Sequence, residues 1–139
     1  MNLKSFKKSE ISYKVDGVPF MRINLKSGVF SFNNTAAELL NLKVGDQVML
    51  HQDEDEPENW YLEQVKEDGF PLRMSEKDKY ACLNFNSTPM AKHMFSSVDT
   101  GGEPISCRAL IAKEPTKFEK RTLWGIIMTE ANFKITAEQ

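Results

Sequence analysis

Few residues in this sequence have side chains suited to nucleophilic chemistry, and none stands in a recognised catalytic motif. The only histidines are His51 and His93, and the only cysteines are Cys82 and Cys107. A cysteine held next to a histidine can act as an activated nucleophile, but no local pattern brings such a pair together here. We therefore predict no catalytic residues and no enzymatic activity, and we interpret both histidines as structural.

Both cysteines lie inside apolar runs of the sequence. A thiol in such a run usually behaves as a small buried hydrophobic group. We therefore expect Cys82 and Cys107 to be reduced rather than joined in a disulfide.

The acidic run from Asp53 to Glu58 is the strongest candidate for metal binding, because carboxylates bind Mg²⁺ and Ca²⁺. It lacks the alternating ligands, the central glycine and the closing glutamate of a calcium-binding loop. We interpret it as a solvated hairpin tip.

Gly101-Gly102 is likewise interpreted as a plain turn, since no Lys-Ser or Lys-Thr follows it as in a phosphate-binding loop. The sequence thus predicts no metal ligands and no cofactor.

Length and composition indicate a single domain spanning residues 1–139, of which 40% are hydrophobic. The net charge of −2 is not typical of a nucleic-acid-binding protein, although a local basic face can bind phosphates on a neutral protein. No apolar run approaches the ~18 residues of a membrane span, and the first residues, MNLKSFKKSE, lack the apolar centre of a signal peptide. We expect a cytoplasmic protein that does not contact membranes.

The best-specified elements lie between residues 20 and 65. Alternating apolar residues predict a β-hairpin from Phe20 to Asn33, with Met21, Ile23 and Leu25 facing inward. Thr35 and Glu38 have the spacing of a capping box and predict the start of a short helix. A second pair of strands is predicted at Gln47 to Gln52 and Asn59 to Val65, followed by a short strand at Phe70 to Met74 and a charged loop at Ser75 to Lys79.

A weaker copy of the first hairpin strand and helix start occurs 53 positions later, where Phe85, Asn86 and Thr88 match Phe32, Asn33 and Thr35. We predict a strand from Leu83, a helix at Pro89 to Ser96 with the proline in its first position, and strands at Ile105 to Ala112 and Leu123 to Thr129. Residues 20–74 and 80–130 thus form two predicted strand-helix-hairpin repeats. The predicted fold is mainly β with two short helices, a small pseudo-twofold β-barrel.

The first repeat resembles the AbrB/SpoVT/MazE group of swapped-hairpin transcription regulators and antitoxins. The resemblance lies in Gly28-Val29-Phe30-Ser31-Phe32, Ala36 to Leu40, Leu42 and Val44-Gly45-Asp46-Gln47-Val48, which together give a Leu-x-Leu-x-x-Gly-Asp-x-Val core. It covers less than a quarter of the chain. It implies an interlocked barrel in which basic residues on the hairpins contact DNA.

The sequence departs from this family pattern at three positions. Val29, Asn33 and Ala37 stand near the places where the family commonly has an arginine, a proline and another arginine. The remaining basic residues are the candidates for nucleic-acid binding, and each has an alternative interpretation as a solvated surface charge: Arg22, Lys26, Lys43, Arg108, Lys113, Lys117, Lys120 and Arg121.

Two functions follow from these observations. The first is a non-enzymatic, AbrB-like DNA-binding protein that regulates transcription or assists a regulator. The alternative is a protein-protein interaction module that binds no nucleic acid and uses the acidic tip from Asp53 to Glu58 or an exposed apolar face. The partner is therefore a nucleic acid or another protein, and the chain is a monomer or a homodimer.

Overall fold

The computed structural model describes residues 2–3, 18–74 and 82–136. These residues form two helices and ten strands, and every strand pairing among them is antiparallel. In chain order the elements are β1 (Phe20–Asn24), β2 (Val29–Phe32), α1 (Asn34–Leu40), β3 (Gln47–Gln52), β4 (Trp60–Val65), β5 (Phe70–Pro71), β6 (Arg73–Met74), β7 (Leu83–Asn86), α2 (Thr88–Ser96), β8 (Pro104–Ile111), β9 (Thr116–Phe118) and β10 (Arg121–Ile135). The charged loop predicted at Ser75 to Lys79 lies outside the described residues.

Strands β1 and β2 form the predicted hairpin. Met21 lies opposite Phe32, and Ile23 lies opposite Phe30. All four side chains are almost completely buried, because alternate residues of a strand point to the same face. The inward direction predicted for Met21 and Ile23 is confirmed, and the intervening Arg22 points outward.

Helix α1 begins two residues earlier than the capping box predicts. Its N-cap is Asn33, whose side-chain Oδ1 accepts a hydrogen bond from the Ala36 amide at 2.9 Å. The prediction that Thr35 caps this helix is therefore wrong. The helix ends at Asn41, which adopts a left-handed conformation with a φ of 54°. Ala36, Leu40 and Leu42 are buried, and Leu39 is half-buried against the core.

Helix α2 also begins earlier than expected. Ser87 is its N-cap and accepts from the Met90 amide at 3.3 Å, so that Thr88 is already the first helical residue. Pro89 lies in the first turn, where its missing amide leaves no hydrogen bond unmade. Ala91, Met94 and Phe95 form its buried side.

The second hairpin pairs β3 with β4 as predicted, and its register places Gln47 opposite Val65 and Gln52 opposite Trp60. The acidic tip, residues 53 to 58, joins the two strands. Asp53 Oδ1 accepts from the amides of Asp55 and Glu56. Asn59 donates from Nδ2 to Glu56 Oε2 at 2.7 Å. These short-range hydrogen bonds explain the shape of the tip without a ligand.

The strands form one sheet in the order β5-β3-β4-β10-β8-β1-β2-β7-β6, and β9 pairs with β10 outside this path. The two strands at its ends, β5 and β6, are adjacent in sequence and separated only by Leu72. The short segment from Phe70 to Met74 therefore pairs with β3 on one side and with β7 on the other. The sheet is consequently a nearly closed antiparallel barrel.

Three aromatic rings mark the place where the barrel closes. Phe85 on β7 stacks against Phe30 on β2, with ring centroids 4.5 Å apart, and against Phe70 on β5, with centroids 4.7 Å apart. Phe30 and Phe85 are almost fully buried. The core thus holds the closing segment to the first hairpin through offset aromatic contacts.

The last strand is longer than predicted. A strand is expected from Leu123 to Thr129, but β10 continues to Ile135 and pairs with β4, β9 and β8 in turn. Its register against β8 shifts between Ile127 and Asn132, which marks an irregularity in the strand. Phe133 in this extension packs against Phe95 of α2, with ring centroids 5.5 Å apart.

Candidate nucleic-acid interface

Two arginines lie directly opposite each other on the outer face of the barrel. Arg22 on β1 is paired with Arg108 on β8. Their sequence neighbours Met21, Ile23, Cys107 and Ala109 all point into the core. Strand alternation therefore places both guanidinium groups on the solvent side, where both residues are exposed.

The same line of paired residues continues across the neighbouring strands. Arg22 is opposite Ser31, Ser31 is opposite Asn84, and Asn84 is opposite Arg73. In the other direction Arg108 is opposite Asn132. Directly opposed residues share a face of the sheet. We call this line the polar row, and its members are Arg73, Asn84, Ser31, Arg22, Arg108 and Asn132.

The polar row crosses six adjacent strands, which at ~4.8 Å between strands makes it about 24 Å long. It contains three arginines and no acidic residue. Among the described residues, neither Arg22 nor Arg108 has a carboxylate within 4 Å. Like charges directly opposite each other destabilise a sheet, so an anion bound between these two groups would relieve their repulsion.

Arg108 is held in place by an aromatic ring. Its guanidinium carbon lies over the ring of Phe20 at 4.8 Å from the centroid. Phe20 is on the adjacent strand, opposite Leu110, which is two residues from Arg108. The cation–π contact limits the movement of the guanidinium while leaving Arg108 exposed.

The turn between β1 and β2 adds a further basic group beside the polar row. Asn24 Oδ1 accepts from the amides of Lys26 and Ser27 at 3.0 and 3.1 Å, and this fixes the turn. Lys26 is exposed. Lys134 on β10 is also exposed and lies opposite Ser106, which in turn is opposite Asn24.

The remaining lysines predicted as nucleic-acid contacts lie elsewhere. Lys43 is in the loop between α1 and β3, where its amide donates to Asp46 Oδ2. Lys113 follows β8. The Ile111 amide donates to the Pro19 carbonyl at one end of the β1–β8 pair, and the Leu25 amide donates to the Ile105 carbonyl at the other end. Lys113 and Lys26 therefore lie at opposite ends of this strand pair. Lys117 and Lys120 belong to the β9–β10 hairpin. The structure thus divides the predicted basic residues between the polar row and surfaces outside it.

Arg121 is engaged in an ion pair and differs from the other candidates in this respect. Its Nε and Nη2 donate to the two carboxylate oxygens of Glu63 at 3.0 and 2.6 Å. His51 Nε2 lies 2.9 Å from Glu63 Oε1 and 3.0 Å from Arg121 Nη2. The hydrogen bonds from Arg121, with a smaller contribution from His51, lower the pKa of Glu63 from 4.5 to about 2 despite its burial.

The polar row contains residues that the sequence analysis did not select. Arg73 was not among the predicted contacts, and Ser31, Asn84 and Asn132 were interpreted only as parts of strands. Strand alternation alone assigns Ser31 and Asn84 to the outer face. Their alignment with Arg22 and Arg73 depends on pairing between distant strands, which no local signal in the sequence specifies.

Cys107 and His93 have different surroundings. Burial raises the pKa of the Cys107 thiol to about 12, so this cysteine is protonated at neutral pH. His93 bonds to Gln52 at 3.1 Å and lies edge-on to Trp60. Within residues 2–3, 18–74 and 82–136, no three side chains of the metal-binding types cluster closely enough to hold an ion.

Neither helix in the described part of the chain has the length and apolar character needed to cross a membrane.

No protein-family model, curated protein or solved structure matches this chain.

Proposed function

We propose that this chain is a non-enzymatic nucleic-acid-binding protein of the kind that regulates transcription or assists a regulator, and that the polar row is its contact surface. The observation that carries the proposal is the direct pairing of Arg22 with Arg108, two exposed guanidinium groups without an ionic partner among the described residues. Arginine forks are well suited to phosphate oxygens. The serine and asparagines of the row supply further hydrogen-bonding groups for a nucleic-acid backbone.

The strand order supports an internal repeat of the swapped-hairpin type. Exchanging β1 with the β5–β6 segment, β2 with β7, β3 with β8 and β4 with β10 leaves every strand with equivalent neighbours, so residues 70–74 begin the second repeat in this proposal instead of ending the first. Ser31 and Asn84, which lie opposite each other, are also 53 residues apart, the spacing of the sequence repeat. We propose that the halves are diverged copies related by a pseudo-twofold axis between these two residues.

This symmetry places an arginine on either side of the proposed axis. Arg22 is opposite Ser31, and Arg73 is opposite Asn84. In an AbrB-like arrangement two chains would supply such paired contacts, whereas here one chain supplies both. The proposal therefore places the contact surface within a single chain, whether it acts as a monomer or forms a homodimer.

The proposal is tested by fluorescence anisotropy with a labelled 20-base-pair duplex and a labelled 20-nucleotide single strand of DNA. Binding to at least one probe at low salt is expected, with an affinity that falls as salt rises because phosphate contacts release counterions. The double variant Arg22→Ser/Arg108→Ser should weaken binding and reduce the log–log salt slope by about two, one for each lost phosphate contact.

The matched control is Lys66→Ser/Lys92→Ser, which removes the same charge from exposed positions outside the polar row. At about 0.1 M salt it should retain the wild-type affinity within about twofold, because distant exposed charges are then screened over a Debye length of about 10 Å. Absence of binding to both probes at tens of micromolar protein would overturn the proposal. Equal weakening by the two double variants would remove the polar row as the contact surface.

A protein-interaction module is the second candidate function. The observation in its favour is Phe118, a large apolar side chain that is 53% exposed on the β9–β10 hairpin. Apolar side chains of this size at a protein surface often mark binding sites when they are not isolated. A partner that remains bound at 1 M salt and is released by Phe118→Ser would favour this candidate, since nucleic acid would dissociate at that salt concentration.

A further inference from the structure

We infer that the preferred ligand of the polar row is single-stranded nucleic acid with unpaired bases rather than a duplex. The inference rests on the proposed function and narrows its substrate class. It derives from two features of the outer face, the stacked Arg108 and a line of apolar residues beside the polar row.

The Arg108 guanidinium is arranged as a stacking surface. One side of it is covered by the Phe20 ring at 4.8 Å, and the residue is nonetheless exposed. An immobilised guanidinium can stack on the face of an unpaired base, as arginine does in proteins that bind single strands. In a duplex the base faces are covered by their neighbours and are unavailable.

The apolar line lies immediately next to the polar row. Phe20 is opposite Leu110, and Leu110 is opposite Ile127, so the three outward side chains cross β1, β8 and β10 side by side. Leu110 is 39% exposed. The face thus offers apolar contact for bases alongside arginines for phosphates, a combination typical of single-strand binding.

The dimensions of the polar row do not suit insertion into a groove of duplex DNA. The row spreads over six adjacent strands around the curved surface of the barrel, whereas the major groove of DNA, about 12 Å wide, admits a helix or a two-stranded ribbon. Its side chains lie on adjacent strands of one sheet rather than on a projecting element. A flexible single strand can follow the row, and Ser31, Asn84 and Asn132 then have access to exposed base edges as well as to phosphates.

The test compares three labelled probes by anisotropy at low salt. They are a 20-nucleotide oligothymidine, an abasic 20-mer with the same phosphates, and a 20-base-pair duplex. The wild-type protein should bind oligothymidine at least about fivefold more tightly than either other probe, the lower limit for stacking one base.

Variants that retain the positive charge distinguish stacking on a base from attraction to phosphate. Arg108→Lys removes the planar group and should weaken oligothymidine binding about fivefold or more, while weakening binding of the abasic probe only by the small factor that loss of one phosphate-binding fork causes. Arg22→Lys is the matched control and should affect both probes by the same small factor. Phe20→Leu, checked for folding by circular dichroism, should reproduce the loss seen with Arg108→Lys, because it removes the support of the guanidinium.

The outcomes distinguish failure of the proposed function from failure of the single-strand preference. If none of the three probes binds, the proposed function fails and this inference fails with it. If all three bind equally, and Arg108→Lys behaves like Arg22→Lys, nucleic-acid binding stands and the single-strand preference is overturned. Tighter binding of oligothymidine, lost selectively in Arg108→Lys, supports the inference.

Discussion

Asn33 joins two parts of the fold through a single side chain. Its Oδ1 accepts from the amides of Phe20 and Ala36 at 3.1 and 2.9 Å, and its Nδ2 donates to the Val18 carbonyl at 2.8 Å. The residue thus caps α1 and also satisfies backbone groups at the beginning of β1. The sequence pattern identified a helix start here but selected Thr35, because the long-range partners of Asn33 leave no local signal.

This assignment predicts unequal effects of two neighbouring substitutions. Asn33→Ala should lower the free energy of unfolding by about 1–3 kcal/mol, since it removes a helix cap and leaves two further backbone groups without their partner. Thr35→Ala should cost less than about 0.5 kcal/mol, as is usual for a helix surface position that is not a cap. Urea titrations of both variants measure the difference, and a larger loss for Thr35→Ala would contradict the assignment of the cap.

The ion pair of Glu63 with Arg121 makes stability depend on pH in the acid range. Because the pKa of Glu63 is lowered to about 2 in the folded protein, its stabilising contribution is complete above the ordinary value of 4.5 and is lost as the pH falls towards 2. Glu63→Gln should therefore be less stable than wild type by about 1–2 kcal/mol at pH 7, a value reduced for solvent around the exposed guanidinium.

Thermal melts of wild type and Glu63→Gln between pH 2 and pH 7 check this expectation. The two curves should draw together as the pH falls below 4.5 and nearly meet at about pH 2, where the carboxylate of the folded wild-type protein becomes protonated. The matched control is Glu67→Gln at an exposed position, which should follow the wild-type curve. A constant difference between wild type and Glu63→Gln down to pH 2 would contradict the role of this ion pair.

At the scale of elements, the turn of the first hairpin packs closely on the beginning of α2. Gly28 has a φ of +73°, and a Cβ added there would lie 2.5–2.8 Å from three atoms of Thr88. Its carbonyl accepts from the Ser87 amide at 2.8 Å. The first hairpin turn and the beginning of α2 are therefore held together by both packing and a hydrogen bond.

Two glycine substitutions distinguish the stability effect of this close contact from the effect of a positive φ alone. Gly45 has a φ of +93°, but no atom lies within 4 Å of a Cβ built there. Gly45→Ala should therefore cost about 1–2 kcal/mol, the penalty of a left-handed conformation for a residue with a side chain. Gly28→Ala should cost at least about 1 kcal/mol more, because Thr88 or the turn must also move. Equal losses in chemical denaturation would contradict the close packing of this turn on α2.

The elements that local pattern predicted well are those with regular alternation. Strands β1 to β4, and β7, appear at or within a residue or two of their predicted positions because their buried residues alternate with outward ones. The extension of β10 to Ile135 was not predicted, since the pairing of Phe133 with Cys107 follows a register shift. The division of residues 70–74 into β5 and β6 likewise depends on two different partner strands.

At the scale of the whole molecule, each half supplies strand partners to the other. Strand β1 lies between β2 of its own half and β8 of the second, and β4 pairs with β10. We therefore expect fragments 1–69 and 70–139 not to fold as isolated monomers, because each would expose sheet edges that are paired in the full chain. Mixing the fragments should restore the circular dichroism spectrum of the intact protein.

Sedimentation combined with urea denaturation tests this dependence. Each fragment alone should be unfolded or self-associated, and an equimolar mixture should sediment as one complex of the mass of the full chain. The intact chain at the same concentration is the control. A cooperative unfolding transition from either fragment as a monomer would show that the halves are independent domains and would contradict the interlocked arrangement.

The candidate site depends on pairing between distant strands, which the sequence does not predict. Arg22 and Arg108 were selected as basic residues, but their direct opposition depends on pairing between strands more than 80 residues apart in the chain. Arg121 was selected on the same grounds, yet its guanidinium is bonded to Glu63. Residue type and alternation predict which side chains are exposed; tertiary pairing decides which of them act together.

The pairing of β1 with β8 also affects how this protein emerges from the ribosome. Phe20 pairs with Leu110, so one edge of β1 lacks its partner until 90 further residues have been made. At about 5–20 residues per second this takes roughly 5–18 seconds. Over that interval the nascent chain presents an unpaired strand edge that chaperones or neighbouring chains can bind. Slowing synthesis within the first half would prolong this exposure without changing the final fold.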